Sequence, residues 1–181
     1  MSREVVIETE RLIIRDWRDD DRAAFAALNG DPEVMATLGP PMSRETSDAL
    51  VDDLIARKAR DGFTYGPVER REDGAFLGFV GLSRAHVGLD FDGMGEIGWR
   101  LNRASWGHGY ATEAAKSVLA WAWRTLPGDQ VMSMTARINK RSEAVMKRIG
   151  MRHCPERDFD HPRVARGSPL RPHIFYLIDR P

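Results

Sequence analysis

Residues 106–114 read WGHGYATEA. Gly107 and Gly109 stand two apart, and Tyr110, Ala111 and Thr112 lead into a glutamate and a run of small residues. A glycine loop that opens a helix can cradle a phosphate. The first N–H groups of the helix have no partner within it, its dipole is positive at that end, and glycine lets a ligand approach the backbone. The same residues also suit a plain tight turn from strand to helix, and spacing alone leaves both readings open. Two other phosphate motifs are excluded. No G-x-x-x-x-G-K-[ST] run exists. A dinucleotide fingerprint needs Gly or Ala three places after Gly109, where Thr112 stands.

Other reactive residue types are sparse. His153, His161 and His173 are too widely spaced for an evident metal site, and no H-x-x-x-H occurs, so no metal is expected. The one cysteine, Cys154, reads as a small buried hydrophobe. Trp121 and Trp123 read as packing on a long helix. The segment 157–173 mixes Arg157, Arg163, Arg166 and Arg171 with His161 and His173. It is either a solvated loop fixed by prolines or a wall that recognises an acidic or polar substrate.

The elements that must position these residues follow from periodicity and punctuation. Residues 11–17, RLIIRDW, read as a strand. An acidic start and Gly30 bound a helix, and a longer one runs from near Ser43 to Gly62 with Leu50, Val51, Leu54 and Ile55 at helical spacing. Two strands follow, joined at Asp73-Gly74, a good hairpin dipeptide. Along GMGEIGWRL, residues 93–101, Ile97, Trp99 and Leu101 face one side and Glu96, Gly98 and Arg100 the other. After the glycine loop, Ala111, Ala114, Ala115, Val118, Leu119 and Ala122 form one small-residue helix face. QVMSMTARI, from residue 130, is a strand, and Asn139 is a natural N-cap for a helix ending at Gly150. A strand, a Pro- and Gly-bearing loop and a final strand near 173–179 complete the chain. This order makes the class α+β (mixed α/β), with a sheet of about seven strands and about four helices.

The chain has 181 residues, enough for a single domain with one sizeable core. Its 27 basic and 27 acidic residues cancel, which argues against a protein built to coat nucleic acid. No apolar run is long enough to span a membrane. The start, MSREVVIETERL, is charged and lacks a signal core. A cytoplasmic location is the expectation.

The succession EIGWRL, then WGHGYATEA opening a helix, then a strand ending at Asn139 and NKRSEAVMKRIGM, resembles the GNAT superfamily of acyl-CoA-dependent N-acetyltransferases. The opening ETERLIIRDWRDDDRAAFAALNGDPEVM is similar to the RimJ/RimL-like branch that acetylates ribosomal-protein N-termini, so the likeness spans nearly the whole chain. The superfamily's phosphate loop reads Q/R-x-x-G-x-G/A. Here Trp106 takes the first place, Gly109 the Gly and Ala111 the last. The resemblance implies a twisted, mostly antiparallel sheet that splays between two parallel central strands, 94–101 and 130–137. It assigns Trp106, Gly107, His108, Gly109, Tyr110, Ala111 and Thr112 to the pyrophosphate of acetyl-CoA. It lays the pantetheine arm along Trp99, Leu101 and Asn102 like an added strand. Asn139 contacts the coenzyme, caps its helix, or both.

The resemblance also implies the chemistry. Glu96 is the base that frees the amine of its proton, directly or through water. At an ordinary pKa of about 4.3 it is a weak base unless desolvation raises it. The competing reading is a sheet-face carboxylate paired with Arg100. Many superfamily members place a Tyr acid seven residues after the Asn, but here Met146 stands there. Ser142, one turn away, is a hydrogen-bond donor to the leaving sulfur or an ordinary first-turn serine. A backbone N–H of 99–101 polarises the carbonyl. The acceptor is an amine, either a protein N-terminus or a small molecule. Relatives often dimerise, but no residue specifies a homodimer interface. Two other readings stay open: a non-catalytic acyl-CoA-binding module of the same fold, and a nucleotide binder. On the loop assignment, Gly109→Val is expected to abolish acetyl-CoA binding in a calorimetric titration while the protein still folds.

Overall fold

A computed structural model describes residues 7–181; the first half of the charged opening, residues 1–6, lies outside the described residues. The sheet runs in the order β1-β2-β3-β4-β5-β6-β9-β7, with β8 pairing on β9. The strands are β1 (Ile7–Glu8), β2 (Leu12–Ile14), β3 (Tyr65–Arg70), β4 (Phe76–Arg84), β5 (Gly95–Leu101), β6 (Gln130–Ala136), β7 (Arg152–His153), β8 (Phe159–Asp160) and β9 (Pro172–Asp179). The helices are α1 (Asp21–Gly30), α2 (Pro32–Met35), α3 (Arg44–Asp61), α4 (Tyr110–Thr125) and α5 (Lys140–Arg148). The class is mixed α/β, mostly antiparallel with one parallel pair. The expectation of seven strands and four helices misses only short pieces: the two-residue strands β1 and β8 and the one-turn α2, which carry too few residues to show a period; the strand expected after Gly150 is β7.

Local chemistry sets the helix ends. The Ser43 hydroxyl accepts the Thr46 N–H at the start of α3, and Gly62 closes it in the left-handed region. Val51 and Leu54 are buried as the spacing requires, but Ile55 is 45% exposed. Gly30 does not stop α1 by a left-handed turn. Asp31 turns the chain into extended backbone there, and its carboxylate accepts the Glu33 and Val34 N–H groups to start α2.

The two faces of the sheet carry different cores. Ile97 and Leu101 of β5 pack with Ala114, Ala115 and Val118 of α4, and the alanines let that helix lie close. On the other face Phe25 of α1 and Val51 of α3 pack with Phe79 of β4. A third cluster, with Phe91, Met132, Cys154 and Phe175, sits beneath the β4–β5 loop; Cys154 is 1% exposed, as expected of a small hydrophobe.

One buried ion pair pins β2, α1 and β3 together. Arg15 meets both oxygens of Asp21 at 2.8 Å, and its Nε donates to Glu69 at 2.9 Å. Removing Arg15 leaves Asp21 buried without its counter-ion. Arg15→Met is therefore expected to cost about 3–5 kcal/mol in denaturant unfolding. The double replacement Arg15→Met/Asp21→Leu should cost less than that single one.

Candidate active site

The parallel contact between β5 and β6 is short. Gly95 pairs with Val131 and Glu96 with Met132, and there the pairing ends. The Ser133 hydroxyl donates to the Ile97 carbonyl at 2.8 Å, one last tie before the strands part. Backbone groups alternate sides along a strand, so Ile97, Trp99 and Leu101 turn the same edge toward the split. The Leu101 carbonyl accepts from Trp106 Nε1 at 3.0 Å, and Trp99 lies on the wall of the opening.

The opening is a groove of about 1050 Å³. Trp99 and Leu101 line it from β5, and Trp106, Gly107 and Gly109 from the glycine loop. Tyr110, Ala111 and Thr112 add the first turn of α4, and Asn139 and Ser142 the start of α5. The structure thus brings ten sequence-nominated residues to one cavity. Glu96, Asn102 and His108 are not on its wall. The Asn102 carboxamide turns inward, accepting from the Ser105 N–H and hydroxyl and donating to the Phe76 carbonyl. His108 stacks on Tyr110.

Gly107 and Gly109 both hold φ +80°, a conformation that favours glycine. Among the described residues no protein acceptor takes the N–H groups of residues 107–112. Lys116, Arg141 and Arg148 line the same groove and make no ion pair among the described residues. Arg141 lies 4.0 Å over the Trp106 ring. Open N–H groups, a helix N-terminus and a cationic rim make an anion cradle. Because Gly109 needs its positive φ, Gly109→Val strains the loop itself and cannot separate a lost ligand contact from a distorted turn.

Asn139 caps α5. Its Oδ1 accepts the Ser142 N–H at 3.2 Å, and its Nδ2 donates to the Thr135 hydroxyl at 3.0 Å. Met146 is 1% exposed in the core and contributes nothing to the groove.

Glu96 sits at the closed end of the split, on the face opposite α4. The paired Glu96–Arg100 arrangement does not form. Arg100 turns away and donates to Asn29 Oδ1 at 2.5 Å. Tyr65 takes the space between them. An added Cβ at Gly98 would meet the Tyr65 ring at 3.2 Å and its hydroxyl oxygen at 3.3 Å, so the phenol lies against this glycine. Burial raises the Glu96 pKa to about 7, and the Tyr65 hydroxyl and the more distant Arg57 charge hold it from rising further. Nothing in the spacing nominates Tyr65. The one signal is a glycine in mid-strand, which marks close approach by another group.

The 157–173 segment is tied down. Arg163 donates to the His86 carbonyl and Arg171 to Asp160. The rings of His161 and His173 meet tilted at 47° with centroids 4.8 Å apart, and burial pushes both pKa values down. None of these residues lines the groove. Among the described residues no cluster of three or more His, Cys, Asp or Glu gathers as a metal site, and no helix is long and apolar enough to cross a membrane.

A glycine cradle at a helix N-terminus thus lies beside a sheet parted at two parallel strands. The sequence matches the Acetyltransferase (GNAT) domain over residues 11–152, and the chain belongs to that family of acetyltransferases. It is 28% identical over 146 residues, 81% of this chain and 82% of the relative, to the uncharacterized N-acetyltransferase YnaD of Bacillus subtilis. It is 38% identical over 153 residues to the FsC-acetyl coenzyme A-N(2)-transacetylase of Aspergillus fumigatus, covering 81% of this chain and 65% of the relative. The fold matches the ribosomal alpha-N-protein acetyltransferase RimL in complex with coenzyme A, with TM-score 0.78, 15% identity and coverage of 97% and 98% of the two chains.

The Glu96 environment also governs stability. Its folded pKa lies above the ordinary 4.5, so the native state binds the proton more tightly. The stability linked to it is complete below about pH 4.5 and is lost as pH rises through about 7. Glu96→Gln should raise Tm by at least about 2 °C at pH 8 and leave it unchanged at pH 4, read by calorimetry, since ~1 kcal/mol moves Tm by about 2–4 °C at this size.

Proposed function

We propose that the chain acts as a single N-acetyltransferase domain of the RimJ/RimL-like kind, in the cytoplasm, moving acetyl from acetyl-CoA to a primary amine on a protein N-terminus or a small molecule. The observation that carries this reading is one split between β5 and β6 with an open N–H cradle at residues 107–112 on its groove wall and, off that wall in the last paired row, a carboxylate of raised pKa. The RimL likeness supports a coenzyme in this groove and hints at a protein acceptor.

The residues divide the work. The N–H groups of 107–112 receive the pyrophosphate, with Lys116, Arg141 and Arg148 offsetting its charge. The free edge of Trp99 offers an N–H and a carbonyl to the amides of the pantetheine arm. Acetyl-CoA supplies the acetyl group as an activated thioester. Glu96 takes the proton that the attacking nitrogen releases as its bond to the acetyl carbon forms. With a pKa of about 7 it is ionised near neutral pH and is well matched to an α-amine of about 7.7–8.0. Ser142, whose own N–H is held by the Asn139 cap, presents a hydroxyl from the groove wall to the sulfur as the carbon–sulfur bond breaks. Met146 leaves no tyrosine acid at that helix position, and a thiolate of pKa near about 8.5 needs little protonation to depart.

The first experiment is calorimetric titration of acetyl-CoA into the wild type and Thr112→Asp. Aspartate suits a first helical turn but repels a pyrophosphate. Retained folding with at least tenfold weaker binding supports the cradle; equal binding overturns it. Release of coenzyme A only on adding an amine separates an enzyme from a non-catalytic binding module. In steady-state assays kcat/KM should rise with pH through about 7. Glu96→Gln should lower kcat by about 10²–10⁴. Tyr65→Phe removes a group that lowers the Glu96 pKa, so its acidic limb should move to higher pH.

A further inference from the structure

The chain places two arginines deep against the sheet and treats them in opposite ways. Arg15 is neutralised by two carboxylates, Asp21 and Glu69. Arg100 has none. Its one hydrogen bond is to the neutral Asn29, and it makes no ion pair among the described residues. Its guanidinium lies 5.4 Å over the Phe79 ring, and the residue lines the groove.

The support is rigid. Asn29 is 0% exposed, and its Nδ2 donates to the Ser47 hydroxyl at 2.9 Å. That bond fixes which end of the carboxamide faces Arg100. Ser47 on α3, Asn29 on α1 and Phe79 on β4 thus hold one cation at a set place and angle. A guanidinium has five N–H donors, and one is used here. A desolvated charge without a counter-ion is costly, and a planar fork of open donors matches a carboxylate.

Arg100 lines the same groove as Lys116, Arg141 and Arg148, but on β5 it shares the face of Glu96 and Gly98, opposite Ile97 and Leu101, which pack on α4. We infer that Arg100 receives a carboxylate on the amine acceptor, and that the acceptor class is an acidic peptide or an amine with a carboxylate remote from the reacting nitrogen. Glu96 and Arg100 lie four residues apart on one strand, about 13 Å between Cα atoms at ~3.3 Å per residue. That span suits a side-chain carboxylate in the residue after a peptide's N-terminus and exceeds the reach of the reacting residue's own main chain.

This inference rests on the N-acetyltransferase reading, and the test separates the two. The probes are two amidated dipeptides that differ only in glutamate or glutamine at the second position, each assayed with acetyl-CoA. The wild type should prefer the glutamate peptide at least tenfold in kcat/KM. Arg100→Gln should lose the preference through a higher KM for that peptide, with KM for acetyl-CoA unchanged. Arg100→Lys should keep part of it. Equal use of the two peptides by the wild type overturns the inference whatever the variants do. So does a preference that survives in Arg100→Gln, or a variant whose defect lies in KM for acetyl-CoA. Acetylation of other amines but of neither peptide also overturns it and leaves the enzyme reading standing. No acetylation of any amine removes both.

Discussion

The molecule depends on two strands that stay together for only two residue pairs. β5 and β6 are joined at Gly95 and Glu96 and then separate, tied once more by Ser133. A sheet normally satisfies its backbone groups by continuing the ladder. Here the ladder stops inside the protein, and the unpaired edge of β5 becomes the wall of a cavity. The helix between these strands, α4, must start at the mouth of that cavity, because the chain leaves β5 there. Its free N–H groups arrive at the groove as a result of topology. The glycines make the turn tight enough for them to be reached.

The same parting explains the unusual carboxylate. Glu96 occupies the last paired row, half-buried. Its charge is opposed by burial and only partly relieved by the Tyr65 hydroxyl. One row further the two strands part. A base of ordinary acidity would be too weak for an amine, and one buried deeper would not ionise. The position at the fork gives a proton affinity between these limits.

Much of this was legible in the sequence because it rests on local signals. Helix caps at Ser43 and Asn139, the Asp73-Gly74 turn and the alanine face of α4 depend on neighbours in the chain, and the structure has them where the residues place them. The ten groove residues were found because the motif keeps them within two short stretches. The unread part is long-range. Tyr65 reaches Glu96 from two strands away, and Asn29 and Ser47 meet Arg100 from separate helices. Alternation along β5 rightly put Glu96, Gly98 and Arg100 on one face. It could not show that a ring from β3 would lie against the glycine and break the suggested Glu96–Arg100 pair. Arg163, nominated for substrate, is spent on the His86 carbonyl, a contact across 77 positions that no periodicity reports.

The phenol resting on Gly98 carries a consequence beyond this chain. The two positions share one volume: a tyrosine ring at the head of β3, or a side chain in the middle of β5, but not both in their present places. Among related chains, residues 65 and 98 should therefore vary together. A relative with alanine at the second position needs the tyrosine to give by only a few tenths of an ångström, whereas a larger side chain there must displace it and leave the carboxylate's proton affinity to other neighbours.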